Sequence, residues 1–204
     1  MSPMGHFGHG GGRPLYMRAL DVLLSNFVLF IVSILYLAVW VLIPIVIGTP
    51  LIASGNGILA SVIVGLVLGI ALASTLLITQ SMVRSSLGGI TPTLMRPLSY
   101  RTNNSFSITV MIVGAYLIDN LLSSIKLGSL GSIILVIAII LSVSALPESG
   151  SGSEIFRKGY EGIRDSFQKD QIFGIILIIS AALILVPIIN VFFIPYSVIL
   201  SNMK

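Results

Sequence analysis

The chain has no cysteine among its 204 residues. Disulfides, thiolate metal centres and lipidation of a thiol are therefore excluded. Its only two histidines, His6 and His9, lie in a glycine-rich stretch, Gly5 to Gly12. With no histidine inside an apolar segment, haem ligation by paired imidazoles within a membrane is excluded, as is zinc-protease chemistry on an H-E-x-x-H helix. No Walker loop, G-x-S-x-G or dinucleotide fingerprint is present. Residues 1–12 read as a disordered Gly/His tail rather than as a metal site. Charge is scarce as well. Eleven basic and seven acidic residues make 9% of the chain, against roughly 25% in a soluble domain.

What the chain has in quantity is apolar sequence, 55% of its residues, with a mean hydropathy of +1.07. The apolar runs recur at about 20 residues, the length that carries a helix across a hydrocarbon core of about 30 Å. The expectation is an all-α, polytopic transmembrane bundle in the cell membrane. Six spans are drawn, at residues 27–47, 58–82, 106–125, 129–146, 172–186 and 191–202, in a single transmembrane domain over residues 13–204. The last two are short, and five spans result if residues 172–202 form one helix kinked at Pro187 and Pro195. The run after Arg13 and Arg18 is longer than a signal-peptide core and lacks a small-x-small exit, so a cleaved leader is not expected.

Charge placement sets the orientation. With a cytoplasmic N-terminus, Arg13, Arg18, Arg84, Arg96, Arg101, Arg157, Lys158, Arg164, Lys169 and Lys204 all lie inside, and Lys126 alone lies in an outer turn. That asymmetry is the positive-inside pattern. It also accounts for the net charge of +4 without nucleic acid, because the inward charges sit beside membrane ends and face anionic headgroups. Cysteines introduced at Ser54 and Ser151 test this topology: a membrane-impermeant maleimide is expected to reach Ser54→Cys from outside and not Ser151→Cys, and the reverse result refutes the orientation.

Short motifs repeat. Arg13-Pro14-Leu15-Tyr16-Met17-Arg18 precedes span 1 and Arg96-Pro97-Leu98-Ser99-Tyr100-Arg101 precedes span 3. A polar pair and phenylalanine then lead inward at Ser25-Asn26-Phe27, Asn104-Ser105-Phe106 and Asp165-Ser166-Phe167. Three hairpins pointing the same way are implied. Interfacial amphipathic helices are expected over about residues 14–26 and 153–168. In the second, Ser151-Gly152-Ser153-Glu154 is a capping-box pattern. Phe156, Tyr160, Ile163 and Phe167 line one face, while Glu154 with Lys158, Arg157 with Glu161 and Asp165 with Lys169 pair on another. In the first, Tyr16, Leu20, Leu23 and Phe27 take the apolar positions.

Polar and small residues within the spans are the candidate sites. Asp119 is essentially the one ionisable group at membrane depth, with Asn120 beside it, Lys126 two helical turns on and Asn190 in the outer turn of the third hairpin. A cation or proton site there competes with a structural Asp119–Lys126 ion pair. Gly57, Ser61, Gly65, Gly69 and Ala73 form an i,i+4 stripe containing G-x-x-x-G, which lets two backbones approach closely, within the chain or between two copies. Thr75, Thr79, Gln80 and Ser81 continue towards the inner end, lining a vestibule or bonding back to carbonyls one turn earlier.

Glu154-Ile155-Phe156-Arg157-Lys158-Gly159-Tyr160-Glu161-Gly162-Ile163-Arg164-Asp165-Ser166-Phe167, followed by an apolar span, and the proline-containing end Phe193-Ile194-Pro195-Tyr196-Ser197 resemble the last hairpin of a six-span prokaryotic membrane-domain family. That family includes the membrane region of glycerophosphodiester phosphodiesterases and related inner-membrane proteins. The resemblance implies an elbow helix before each pair of spans and no catalytic residue, since the phosphodiesterase of the fused enzymes lies in a separate soluble domain. The short final hairpin departs from the pattern. The expected role is non-enzymatic and cofactor-free: a scaffold, assembly or membrane-organising factor acting through helix packing, with a small-solute or lipid transporter as the alternative. The expected partners are membrane lipids, another membrane protein or a second copy of the chain.

Overall fold

The computed structural model describes residues 13–92, 105–147 and 154–203. Among them the chain forms eight α-helices and no strand. They are α1 (Leu15–Leu24), α2 (Val28–Ala53), α3 (Gly57–Leu87), α4 (Ser105–Ser124), α5 (Gly128–Ala145), α6 (Ile155–Lys169), α7 (Gln171–Leu185, ending in a 3-10 turn) and α8 (Asn190–Met203). Four of them, α2 to α5, are long and apolar enough to cross a membrane; α7 and α8 are shorter apolar helices. This is an all-α, multi-pass membrane protein. The tail at residues 1–12, the second R-P-L-x-x-R copy at residues 96–101, Asn104, the capping-box serines Ser151 and Ser153 and Lys204 lie outside the described residues.

Local chemistry sets the breaks. The Ser25 hydroxyl donates to the Asp21 carbonyl at 2.9 Å and the Asn26 amide to the Val22 carbonyl at 2.8 Å. The second bond satisfies an orphan carbonyl at the end of α1, where the chain passes into α2. Asp170 does the opposite job: its carboxylate accepts from the Ile172 N–H at 2.9 Å and starts α7. Asp165-Ser166-Phe167 is therefore not a break; it lies within α6, and the break comes at Asp170. The Phe167 ring instead covers Gly174, where a Cβ would lie 2.8 Å from it. Span 1 also runs further than its apolar pattern suggested. Pro44–Gly48 forms one π-helical segment, and Thr49–Ala53, with Pro50 as its second residue, continues the helix. The turn between α2 and α3 shrinks to residues 54–56, with Gly55 at φ +82°.

The helices pack in chain order, α3 on α4, α4 on α5 and α5 on α6, while α8 touches α1, α2, α3, α5 and α7. From Ile194 to Ser201 every residue of α8 is buried. The helix whose span status was least certain from sequence is thus the one the others surround. The chain reverses before it at residues 186–189, where Ile188 adopts φ +69°, so 172–202 is two helices and not one. The Tyr196 hydroxyl donates to the Tyr16 carbonyl at 3.1 Å, fastening α8 to α1. Phe30 of α2 packs beside Phe192, and Phe192 beside Phe193 and Tyr196.

α6 has three sectors, each of roughly a third of its circumference at 3.6 residues per turn. Ile155, Lys158, Gly159, Gly162 and Ser166 are buried. Gly159 meets the Leu141 carbonyl of α5, where a Cβ would sit at 2.7 Å. Phe156 and Tyr160 are exposed, with Ile163 and Phe167 half-buried on the same sector. The third sector is charged: Arg157 pairs with Glu154 at 2.9 Å and Glu161 at 3.8 Å, and Lys158 lies 3.9 Å from Glu154. The exposed pairs of Arg157 contribute little to stability. The docked face is the small one, and the aromatic face points outward, where a lipid surface would take it.

Candidate functional site

Two polar centres lie at opposite ends of the bundle. The first is built on α4. Tyr116, Asp119 and Asn120 stand at i, i+3 and i+4 and share one face. That face is held between two glycine contacts. On α3, a Cβ at Gly65 would lie 3.0 Å from the Tyr116 carbonyl and 3.2 Å from the Asn120 amide nitrogen; at Gly69 it would lie 2.7 Å from the Val113 Cα. On α5, a Cβ at Gly131 would meet the Asp119 Cα at 2.7 Å and its Oδ1 at 2.9 Å. The Ser132 hydroxyl donates to Asp119 Oδ1 at 3.1 Å. Oδ2 accepts no hydrogen bond among the described residues. The Asn120 amide donates to the Tyr116 carbonyl at 2.9 Å, and the Tyr116 and Tyr36 hydroxyls share a buried hydrogen bond of 2.7 Å that joins α4 to α2.

This polar face borders a cavity of about 530 Å³. Trp40 and Thr49 of α2, Ser61, Val64 and Leu68 of α3, Tyr116, Asp119 and Asn120 of α4, Ser132 and Leu135 of α5 and Leu185 of α7 line it. Leu68, Tyr116 and Leu135 are buried, whereas Thr49 and Ser132 are exposed. Of the residues that line it, Thr49 and Ser132 stand near the turns at residues 54–56 and 125–127, and Leu68 and Leu135 stand further into the bundle. One carboxylate, one primary amide, hydroxyls and an indole face a mostly aliphatic wall. A pocket of this size and make-up takes an organic molecule and orients it through a few polar groups.

The second centre lies at the end carrying α1 and α6. The Gln80 and Asn202 side chains bond reciprocally: Gln80 Nε2 to Asn202 Oδ1 at 3.0 Å, and Asn202 Nδ2 to Gln80 Oε1 at 2.6 Å. Gln80 Nε2 also donates to the Leu146 carbonyl at 3.4 Å, and an Arg84 guanidinium N–H to the Pro147 carbonyl at 2.7 Å. These bonds tie the ends of α3, α5 and α8 together.

The structure sorts the candidate residues. Asp119 and Asn120 face one cavity. Lys126 does not join them: it has left the helix at φ +66° in the exposed turn, and Ser132 rather than Lys126 is the partner of Asp119. Seven residues of uninterrupted helix were assumed between the two, and the helix ends at Ser124. Asn190 is buried at the start of α8 and is not among the cavity residues. Within the small-residue stripe, Gly65 and Gly69 lie against α4, and Ala73 is buried. Ser61 lines the cavity and donates to the Gly57 carbonyl at 3.0 Å, while nothing stands within 4 Å of a Cβ at Gly57. Thr75, Thr79, Gln80 and Ser81 are buried. Among the participants that sequence reasoning missed are Ser132, Trp40, Thr49, Tyr116 with its partner Tyr36, and Asn202. The pairing of Gln80 with Asn202 spans 122 residues and leaves no local trace.

Comparison with protein-family models, with curated proteins and with solved structures returns no match.

Proposed function

We propose that the chain is a small-solute transporter of the cell membrane, non-enzymatic, with six spans and a cytoplasmic N-terminus. In this reading α2 with α3, α4 with α5 and α7 with α8 are the three hairpins, and α1 and α6 are elbow helices on the inner surface. The short spans are tolerated because α8 is shielded by its neighbours and need not match the bilayer thickness itself. The layout agrees with the elbow-and-hairpin pattern that the resemblance of Glu154 to Phe167 implies. The carrying observation is the cavity around Asp119, which gathers polar groups from four helices at a depth where an ionisable side chain is costly unless used. With a cytoplasmic N-terminus, the exposed lining residues Thr49 and Ser132 stand towards the outer end, and the Gln80–Asn202 and Arg84–Pro147 bonds join helix ends at the inner one. Closure at one end and access from the other is what one state of an alternating-access carrier requires.

The absence of native cysteine makes the test direct. In intact cells Ser61→Cys is expected to react with a membrane-impermeant maleimide added outside, and Gln80→Cys to resist it. A Ser61→Cys chain that stays unlabelled from outside removes the transport reading.

The scaffold reading retains one observation of its own, the outward aromatic sector of α6, with Phe156 and Tyr160 both about two-thirds exposed, 64% and 65%. Recovery of one stoichiometric protein partner from native membranes, lost when both are changed to serine, would favour it.

A further inference from the structure

We propose that the cavity takes an organic cation with an apolar body, its charged head on Asp119 and its body against Trp40 and the aliphatic floor. The inference rests on the transport reading above and specifies its substrate class. Three features of the wall lead to it.

The first is charge. The lining contains the Asp119 carboxylate and no lysine, arginine or histidine. An anion would meet a like charge and would find among the described lining residues no cation to offset it. A cation meets the opposite charge, and Asp119 Oδ2 is open to receive it because Ser132 occupies only Oδ1.

The second is the indole. Trp40 forms part of the same wall, and tryptophan offers the best face of any side chain to an ammonium group. The rest of the floor is Leu68, Leu135 and the Tyr116 ring, which suits hydrocarbon and not water.

The third is size and donor number. A bare inorganic cation needs a shell of converging oxygens, about six for the common divalent ions. Among the described residues no three His, Cys, Asp or Glu side chains come together anywhere. The volume of about 530 Å³ is far larger than an ion and lies in the range of organic ligands.

The chain carries one tryptophan, and it is in this wall, so its emission reports occupancy without a label. The full chain in lipid nanodiscs is titrated with benzyltrimethylammonium, with its neutral isostere neopentylbenzene and with benzenesulfonate. The cation is expected to give a saturable change in Trp40 emission, and the other two are not. Asp119→Asn, which keeps the acceptor for Ser132, is expected to weaken the cation at least tenfold, while Asp119→Glu restores part of the loss. Equal affinity for wild type and Asp119→Asn overturns the proposal. So does equal binding of the neutral isostere, and so does an emission change reproduced by sodium chloride alone, which would mark an inorganic cation site. If Ser61→Cys is labelled from outside yet the cation gives no saturable response, the substrate class is wrong and the transport reading stands. If Ser61→Cys is not labelled, both fall.

Discussion

Gly69→Leu is expected to destabilise the bundle by about 3 kcal/mol, whereas Gly57→Leu, in the same i,i+4 stripe, is expected to change little. At Gly69 even a Cβ would lie 2.7 Å from the Val113 Cα, a backbone atom that can yield only if α3 and α4 separate. At Gly57 the first 4 Å are empty. Separation is costly for a reason particular to lipid. Acyl chains are as apolar as leucine, so burial supplies no drive and the helices are held by close fit together with the few hydrogen bonds between them. Pushing α4 away also displaces Tyr116 and Asp119 from the cavity wall, so Gly69→Leu should lose ligand response along with stability. Thermal unfolding midpoints in detergent compare the two variants. Equal losses at both positions would mean that the stripe works through something other than the α3–α4 contact, such as a second copy of the chain.

Asn202→Leu is expected to cost about 2 kcal/mol, and the double variant Gln80→Leu with Asn202→Leu to recover most of it. The single change leaves the Gln80 amide, 2% exposed, without the partner that both donates to it and accepts from it. The Gln80 amide oxygen then lacks its donor and Nε2 keeps only the long bond to the Leu146 carbonyl, whereas an apolar pair leaves neither amide to be satisfied. A double-mutant cycle on denaturation in detergent gives the coupling directly. Additive losses would show that the two amides do not act as a pair. In the transport reading the same bond closes the inner end, so the double variant, stable but without the amide lock, should let an internal maleimide reach Ser61→Cys more readily.

The elements differ in how far they could be read before any contact was known. α3, α4 and α5 lie where their apolar runs lie, because an unbroken run of that length has no other stable state in a bilayer. The amphipathic character of α6 was equally plain, since its charges and aromatics recur at the helical period. Its docking face was not. Gly159, Gly162 and Ser166 look like gaps in a hydrophobic pattern, yet they are the contact, because a close helix approach is made by what is missing from the side chain. Asp119 could be singled out by its rarity at depth, but its partner could not. Lys126 was within helical reach only if the helix continued, and it stops two residues short.

Composition and charge by themselves determined that the chain is a multi-pass helical membrane protein, and they placed its helices. Only the tertiary structure decided which helix is central. Hydropathy cannot rank burial in a membrane, because a residue facing lipid and one facing protein are apolar alike. The most apolar span, α2, has 17% of its apolar stretch buried and α3 has 44%, while the short α8, with its proline and its Ser197 and Ser201, is enclosed from Ile194 to Ser201. The same limit hid the cavity. Trp40, Asp119 and Ser132 meet because three separate helices are brought together, and that depends on the fit of glycines to backbones, which no one-dimensional pattern contains.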